Sequence, residues 1–212
     1  MVVIPRSKRS KDKVVTDRRS LALILNGLRA SGKTVILTNG VFDLLHVGHV
    51  RYLEDARSRG DYLVVAVNSD SSAAALKGKG RPVLPVAERM ELLSALSFVD
   101  YVTTFEDEAA DGLIEQLQPN LYAKGTDYNL RSLPERDTLK ALGIKAVFVG
   151  DKKAHSSAQL IAKIGRARAS GGKTAAKKPA AKKKAAKKPV AKKKAARTPA
   201  AKKTARKKAA RS

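Results

Sequence analysis

Five apolar runs stand out along the chain and predict strands, at residues 34–38, 61–68, 101–103, 121–123 and 144–149. The run at residues 61–68 is almost continuously apolar, which predicts a strand that is covered on both faces of a sheet. Apolar residues recur at helical spacing beside these runs, over residues 20–32, 48–60, 86–96, 109–118, 134–142 and 156–169. Strands that alternate with helices are typical of parallel sheets. The chain is therefore predicted to form an α/β fold, a Rossmann-like doubly wound sheet of five parallel strands.

Residues 35–60 carry the most specific chemistry in the chain. The first predicted strand runs into Thr38-Asn39-Gly40, which is a turn signal, and helical spacing begins at Gly48. The start of a helix offers unpaired N–H groups and the positive end of the helix dipole, which together bind anions. Gly40 and Gly48 allow the backbone to approach phosphate oxygens closely. This stretch therefore predicts a polyphosphate site.

Two of the three histidines, His46 and His49, fall at this predicted helix start. Because they are three residues apart, both imidazoles can point at one spot. There they can donate hydrogen bonds to a phosphoryl group whose charge is redistributing. We therefore interpret the two histidines as a catalytic pair rather than as ordinary residues of a helix start.

A second phosphate-binding pattern occurs just before this stretch. Residues 27–34 fit G-x-x-x-x-G-K-[ST], the P-loop pattern, which requires a preceding strand and a helix that begins at its Lys-Thr pair. Here the predicted helix, capped by Ser20, precedes the motif and the strand follows it. Since this order is reversed, we interpret Gly32 as the residue that ends the helix.

The charge is divided unevenly over the 212 residues. Residues 1–165 carry 24 basic against 19 acidic side chains, whereas 20 basic and no acidic residues lie from Arg166 onward. Residues 175–209 repeat Ala, Lys and Pro with a period of five and contain no aromatic residue. Such a segment cannot offset its ordering entropy, so residues 170–212 are predicted to be a disordered basic tail. This tail resembles the C-terminal tails of linker histones.

The rest of the sequence predicts the limits of the folded domain and the cellular compartment of the protein. Residues 1–19 are polar and basic without periodicity and predict a loose N-terminal arm, which leaves residues 20–169 for the folded domain. The chain has no cysteine, which excludes disulfides, thiolate zinc sites and a cysteine nucleophile. No signal peptide and no apolar run of membrane-spanning length is apparent, so we expect a cytoplasmic protein.

The segment GVFDLLHVGH at residues 40–49 resembles the G-x-F-D-x-x-H-x-G-H signature of the cytidylyltransferase-like nucleotidyltransferases. The longer run over residues 38–70 is similar to the D-glycero-β-D-manno-heptose 1-phosphate adenylyltransferases of ADP-heptose synthesis. The resemblance covers residues 20–164. It implies transfer of AMP from ATP to heptose 1-phosphate with release of pyrophosphate. It also implies Mg²⁺ bound with the nucleotide, no metal ligands from the protein, and a homodimer as the common assembly.

The same resemblance assigns roles to residues outside the histidine pair. LKGKGRP at residues 76–82, which by itself suits either a phosphate-covering loop or a solvated one, implies that Lys77 holds the triphosphate. Arg89 matches an arginine that superfamily members use on phosphates, so the implied catalytic set is His46, His49, Lys77 and Arg89. KGTDY at residues 124–128 matches a family motif near the nucleotide and acceptor. The implied nucleotide-binding residues are Thr38, Asn39, Gly40, Val41, Phe42, Gly48, Lys124, Gly125, Asp127, Ser156 and Ser157.

The chain departs from the family at the start of the last helix. Ser156 and Ser157 retain the hydroxyls that cap the helix and contact phosphate. Ala154 replaces a glycine, His155 replaces a tyrosine or isoleucine, and Lys153 replaces a glutamate. Two further interpretations therefore stay open. One is a glycerol 3-phosphate or phosphoethanolamine cytidylyltransferase, and the other is a protein that binds nucleic acid non-specifically through its tail.

Overall fold

The computed structural model describes residues 9–107, 109–151 and 157–171. The strands are β1 (Val35–Gly40), β2 (Tyr62–Asn68), β3 (Tyr101–Phe105), β4 (Leu121–Gly125) and β5 (Lys145–Val149). The longer helices are α2 (Arg18–Ala30), α3 (Val47–Ser58), α4 (Asp70–Lys77), α5 (Val86–Ser94) and α8 (Ser157–Gly171). The shorter ones are α1 (Ser10–Lys13), α6 (Asp111–Leu117) and α7 (Arg136–Ala141).

All strand pairs of the sheet are parallel, in the order β3-β2-β1-β4-β5. β1 therefore lies at the centre, with β2 on one side and β4 on the other. The chain builds outward from β1 in one direction and then in the other, which places the topological switch point between β1 and β4. Ligands of such sheets bind beyond the carboxyl ends of the strands at this point. The predicted Rossmann-like fold with five parallel strands is confirmed.

Side chains alternate between two apolar layers, one on each face of the sheet. In β1, Val35 and Leu37 join a cluster with residues of α2, α6 and α7, whereas Ile36 joins a cluster with residues of α3 and α5. All three side chains are fully buried. Because both faces of β1 are covered, its sequence reads as a continuous apolar run and not as an apolar–polar alternation.

After helix α3 the chain returns to the sheet, and Gly60 lies in close contact with the start of β1. A Cβ atom at this position would lie 2.8 Å from Cγ2 of Thr34, 2.9 Å from Cδ1 of Ile36 and 3.0 Å from the Thr34 carbonyl oxygen. The carboxylate of Asp61 then accepts a hydrogen bond of 2.8 Å from the Thr34 N–H. Glycine is therefore required here because the chain passes directly against the start of β1.

The described part of the predicted N-terminal arm is ordered. Lys13 at the end of α1 is 5% exposed and its ammonium group donates to the Leu96 carbonyl oxygen at 2.9 Å. Val14 then forms a β-bridge with Val102. These contacts join residues far apart in the chain, so local sequence patterns do not predict them.

The N-cap of α2 also differs from the prediction. Asp17, not Ser20, caps the helix, because its carboxylate accepts hydrogen bonds from the N–H groups of Arg19 and Ser20 at 3.3 and 3.0 Å. At its other end, α2 is followed by Gly32 with φ of +78°, which confirms this glycine as the helix stop. Lys33 forms an ion pair with Asp61 at 3.6 Å, and the P-loop pattern has no P-loop structure.

Helix α4 was absent from the sequence interpretation, which placed a flexible loop at residues 76–82. The helix contains Ser-Ser-Ala-Ala-Ala, whose small side chains give little apolar periodicity. Ser69 caps it by accepting a hydrogen bond from the Ser72 N–H at 3.2 Å. Lys77 is its last residue, and the loop begins at Gly78, whose φ is +87°.

Several predicted features lie outside the described residues: the altered segment 152–156 with Ser156, the basic tail from residue 172 onward, and residues 1–8. Within the described ranges, none of the helices combines the length and the apolar character that crossing a membrane requires.

Replacing glycine by alanine should have opposite effects on stability at two positions, Gly60 and Gly27. We expect Gly60→Ala to lower the free energy of unfolding by roughly 1–3 kcal/mol, because the added Cβ overlaps Thr34 and Ile36. Gly27→Ala, inside α2 with no atom within 4 Å of the added Cβ, should raise it by about 0.5–1 kcal/mol. Urea denaturation of both variants measures the two changes. A Gly60→Ala variant as stable as the wild type would contradict the close contact.

Candidate active site

An open cleft of about 700 Å³ lies beyond the carboxyl ends of β1, β4 and β5. Its wall is formed by the β1–α3 loop, the start of α3, the end of α4 and the loop after β4. The cleft brings together most of the predicted site residues: Asn39, Gly40, Val41, Phe42, His46, Gly48, His49, Lys77, Lys124, Gly125, Asp127 and Ser157.

The two histidines meet at the start of α3. His46 is the N-cap residue with extended backbone angles, and His49 lies in the first turn, where its N–H donates to the His46 carbonyl oxygen at 2.9 Å. The imidazole rings are stacked, with centroids 3.8 Å apart and planes 21° from parallel. Both rings therefore lie side by side at one point of the cleft wall.

Burial keeps His49 neutral. Loss of solvation, followed by the charge of the adjacent His46, lowers the pKa of His49 to about 4. A neutral imidazole carries one N–H donor and one acceptor. A nearby negative charge favours the protonated form of an imidazole, so an anion bound in the cleft would raise the pKa of His49 again.

Phe42 fixes the position of His49. Its φ of +46° is unusual for a non-glycine residue, and it turns the ring toward His49, with centroids 5.3 Å apart in an edge-to-face arrangement. A Cβ atom on Gly40 would lie 3.1 Å from Cε2 of this ring. Gly40 therefore makes room for Phe42, a packing role that the sequence analysis did not anticipate.

Asp43 joins the β1–α3 loop to the loop after α4. It is 2% exposed, and its Oδ1 accepts hydrogen bonds from the N–H groups of Val83 and Leu84 at 2.7 and 3.0 Å. Its Oδ2 lies 2.9 Å from Nε of Arg81, which lines the cleft. Both residues lie within the quoted motifs, but no role was predicted for either. Only the fold shows that they are neighbours.

Lys77 projects from the end of α4 into the cleft wall. No ion pair within 4.0 Å joins it to another residue in the part of the chain that the structure describes. Its charge is therefore available to a ligand, in contrast to that of Arg81.

Arg89 does not reach the cleft, contrary to the predicted contact with phosphate. It is fully buried, and its guanidinium donates to the carbonyl oxygens of Leu84 and Val41 at 3.0 and 2.6 Å and to Oδ1 of Asp70 at 2.6 Å. These bonds use all three nitrogens. Arg89 therefore holds the loops that form the cleft wall.

Thr38 is also absent from the cleft. It is fully buried below the β1 terminus, where its hydroxyl is hydrogen-bonded to the hydroxyl of Tyr52. The Tyr52 hydroxyl in turn donates to the Ala123 carbonyl oxygen at 3.0 Å. The predicted nucleotide contact of Thr38 is thus replaced by a link between β1, α3 and β4.

The loop after β4 forms the opposite wall. Lys124 Nζ lies 3.2 Å from Oε1 of Glu135 and 5.4 and 5.3 Å from the ring centroids of Tyr122 and Tyr128. A Cβ atom on Gly125 would lie 2.6 Å from Oδ1 of Asp127, so the carboxylate folds back against the glycine. The motif at residues 124–128 was predicted to belong to the site, whereas Glu135 was not, because it has no recognisable sequence signal of its own.

The start of α8 contacts the β1–α3 loop. Ser157 Oγ donates to the Leu44 carbonyl oxygen at 3.0 Å and lines the cleft. The predicted partner residue Ser156 lies outside the described residues. Across the residues that are described, no group of three or more His, Cys, Asp or Glu side chains could hold a metal ion.

Comparison with known proteins agrees with this geometry. Residues 37–163 match the family described as cytidylyltransferase-like. The bifunctional protein HldE of Pseudomonas fluorescens is 40% identical over 161 residues, which are 76% of this chain and 34% of the relative. HldE of Geobacter sulfurreducens is 44% identical over 144 residues, 68% of this chain and 29% of the relative. The chain thus spans about a third of the length of these relatives.

A solved structure shows the same fold. The lipopolysaccharide core biosynthesis protein of Thermoplasma volcanium matches with a TM-score of 0.51 and 28% identity, covering 57% of this chain and 100% of that one. The family match begins in β1 and ends in α8, and it contains the cleft wall, the stacked histidines and the motif after β4. This chain therefore belongs to the cytidylyltransferase-like family of nucleotidyltransferases.

Proposed function

We propose that this chain transfers AMP from ATP to a sugar 1-phosphate, heptose 1-phosphate, and releases pyrophosphate, so that ADP-heptose is formed. The observation that carries the proposal is the stacked pair His46 and His49 at the start of α3, facing an open cleft at the switch point of the sheet. The similarity to the bifunctional protein HldE and to a lipopolysaccharide core biosynthesis protein supports the sugar acceptor.

The reaction needs no protein nucleophile. A phosphate oxygen of the sugar 1-phosphate attacks the α-phosphorus of ATP, the bond from this phosphorus to the bridging oxygen breaks, and pyrophosphate leaves with that oxygen. Catalysis then consists of positioning and charge stabilisation. His46 and His49 donate hydrogen bonds to the α- and β-phosphate region. Lys77, which has no ion pair with any described residue, offsets the charge that develops on pyrophosphate.

We expect Mg²⁺ to bind together with the nucleotide. Mg²⁺ keeps several water ligands and is commonly bound through substrate phosphates. The described cleft residues offer scattered carboxylates, such as Asp127 and Asp151, and no cluster of three metal-binding side chains. This donor set suits an ion held chiefly by phosphate oxygens, where it would neutralise phosphate charge.

Pyrophosphate release tests the proposed reaction. We expect release from ATP in the presence of heptose 1-phosphate at least tenfold faster than with CTP or with glycerol 3-phosphate or phosphoethanolamine as acceptor. Those alternative pairs represent the cytidylyltransferase interpretation. Rapid release from CTP with glycerol 3-phosphate, and none from ATP with heptose 1-phosphate, would replace the proposal by that alternative.

A His49→Ala variant tests the proposed role of the histidine pair. If the imidazole of His49 stabilises the transition state, its removal should lower kcat by roughly 100- to 1000-fold, as on removal of one preorganised donor. The dissociation constant of ATP, measured by calorimetry, should change far less. Equal losses in turnover and in affinity would argue against a transition-state role.

The depressed pKa of His49 provides a second test of where the triphosphate lies. A bound anion favours the imidazolium, so the titration midpoint of His49 should rise from about 4 when a non-hydrolysable ATP analogue binds. A charge at contact distance shifts a pKa by roughly 1–3 units. NMR of the ring protons measures the midpoint, with adenosine as the uncharged control. An unchanged midpoint would place the phosphates away from α3.

We also propose that residues 172–212 give the chain a second property, non-specific contact with nucleic acid. The supporting observation is the charge distribution, because 18 of the 44 basic residues and none of the 19 acidic ones lie in residues 172–212. Cations that neutralise phosphates release counterions, which makes binding independent of sequence and strongly dependent on salt.

Deletion of residues 172–212 separates this property from catalysis. We expect the shortened chain to keep the full rate of pyrophosphate release and to lose retention on immobilised DNA at about 50 mM salt. For the full chain, retention should fall steeply when salt is raised. Retention that survives the deletion would assign nucleic-acid contact to the domain and not to the basic tail.

A further inference from the structure

The cleft has two chemically different walls, and only one of them contains the histidines. Helix α3, with His46 and His49, packs on the sheet face that also holds α5. Tyr122 belongs to the layer on the other face, beside α6 and α7. Lys124 follows Tyr122 by two residues on β4 and therefore points to the same face. We call the cleft-lining residues Asn39, Lys124 and Glu135 the α7 wall, and Tyr122 lies buried behind them.

Glu135 is the unusual member of the α7 wall. It is 1% exposed, lines the cleft and occupies the N-cap position of α7, yet its side chain caps no N–H group of the helix. Its Oε1 lies 3.2 Å from Lys124 Nζ, and its Oε2 has no hydrogen-bond partner among the described residues. A buried carboxylate oxygen without a donor is costly, which points to a donor supplied from outside the protein.

The Tyr122 hydroxyl lies beside the Glu135 carboxylate. Burial, then the charge of Glu135 and a hydrogen bond with its side chain, raise the pKa of Tyr122. The same hydroxyl donates to Oδ1 of Asn39 at 2.6 Å. Lys124 contacts Oε1 of Glu135, and Oε2 keeps no partner at hydrogen-bond distance among the described residues. Rotation about the last torsion of a glutamate is soft, so either oxygen can be turned toward the cleft.

From this arrangement we propose that the α7 wall is the acceptor subsite, in which Lys124 binds the phosphate of the acceptor and Glu135 accepts hydrogen bonds from its sugar hydroxyls. This inference rests on the proposed function and specifies its acceptor side. Lys124 then binds the acceptor, whereas the sequence had predicted that it binds the nucleotide.

The charges of the two substrates explain why the acceptor and the triphosphate would bind to different walls of the cleft. In the proposed transfer, an anionic acceptor phosphate must approach the anionic α-phosphate of ATP. A cation separate from those that hold the triphosphate lowers the repulsion between them. Lys124 provides this charge when the Glu135 carboxylate turns toward the acceptor hydroxyls, and the rings of Tyr122 and Tyr128 restrict the position of the ammonium group. Glu135 balances its charge in the free protein and selects ligands that carry hydroxyl donors.

The test compares two probes, heptose 1-phosphate and inorganic phosphate, which differ in their sugar hydroxyls. Both are titrated by calorimetry into the full chain saturated with a non-hydrolysable ATP analogue. For Glu135→Gln we expect heptose 1-phosphate to bind roughly 10- to 100-fold more weakly, as on loss of a hydrogen bond to a charged group. Inorganic phosphate should bind as tightly or more tightly, because Lys124 no longer shares its charge with a carboxylate.

Two further variants complete the test. Lys124→Met should weaken the binding of both probes, because it removes the cation. Asp137→Asn is the matched control on the same helix, since its carboxylate pairs with Arg136 at 3.0 Å but lies outside the cleft. It should change neither affinity.

The inference is overturned if Glu135→Gln binds heptose 1-phosphate as the wild type does, or if it weakens both probes equally. It is also overturned if the wild type binds heptose 1-phosphate no more tightly than inorganic phosphate. Pyrophosphate release by the wild type is measured separately. Its absence would refute the proposed function, whereas the probe comparison would still decide the subsite.

Discussion

The candidate site depends on one buried cation. The guanidinium of Arg89 has no exposed surface and binds the carbonyl oxygens of Val41 and Leu84 together with the carboxylate of Asp70. Its planar array of donors lets a single side chain fix three segments of the chain at once. The Val41 carbonyl precedes Phe42, whose ring packs on His49. The loop that carries the imidazole pair is thus held by an arginine that is buried and does not line the cleft.

The cleft is electrostatically prepared for an anion before one binds. Three cations at its wall are held in place by carboxylates: Arg81 by Asp43 at 2.9 Å, Lys124 by Glu135 at 3.2 Å, and Arg51 by Asp151 at 3.0 Å. The two buried pairs need this compensation, because an unpaired charge out of water is costly. Lys77, which has no ion pair with any described residue, then supplies a donor that a phosphate group can use without breaking an existing ion pair. A bound anion favours the protonated form of His49, which adds an N–H donor to the neutral ring. The ring of His49, packed between Phe42 and His46, is held in place as electrostatic stabilisation of phosphoryl transfer requires.

Local sequence was sufficient where a signal is contained within a few neighbouring residues. The five apolar runs specify strands because both faces of the sheet are covered, and Gly32 specifies a helix end because it can adopt a positive φ. The histidine pair was found because its spacing and its helix start are both local. Helix α4 was missed because Ala and Ser leave no apolar period, although Ser72 and Ala73 are buried.

The sequence by itself determined the α/β fold, the loop with His46 and His49, and the separation of a nearly balanced domain from a basic tail. Only the tertiary structure decided which charged residues face the cleft. Arg89 and Thr38 share motifs with cleft residues and yet are buried, whereas Glu135 carries no motif signal and lines the cleft. The physical reason is that the exposure of a side chain depends on contacts between residues distant in the chain, such as Lys124 with Glu135 and Asp43 with Arg81. Local spacing does not encode those contacts.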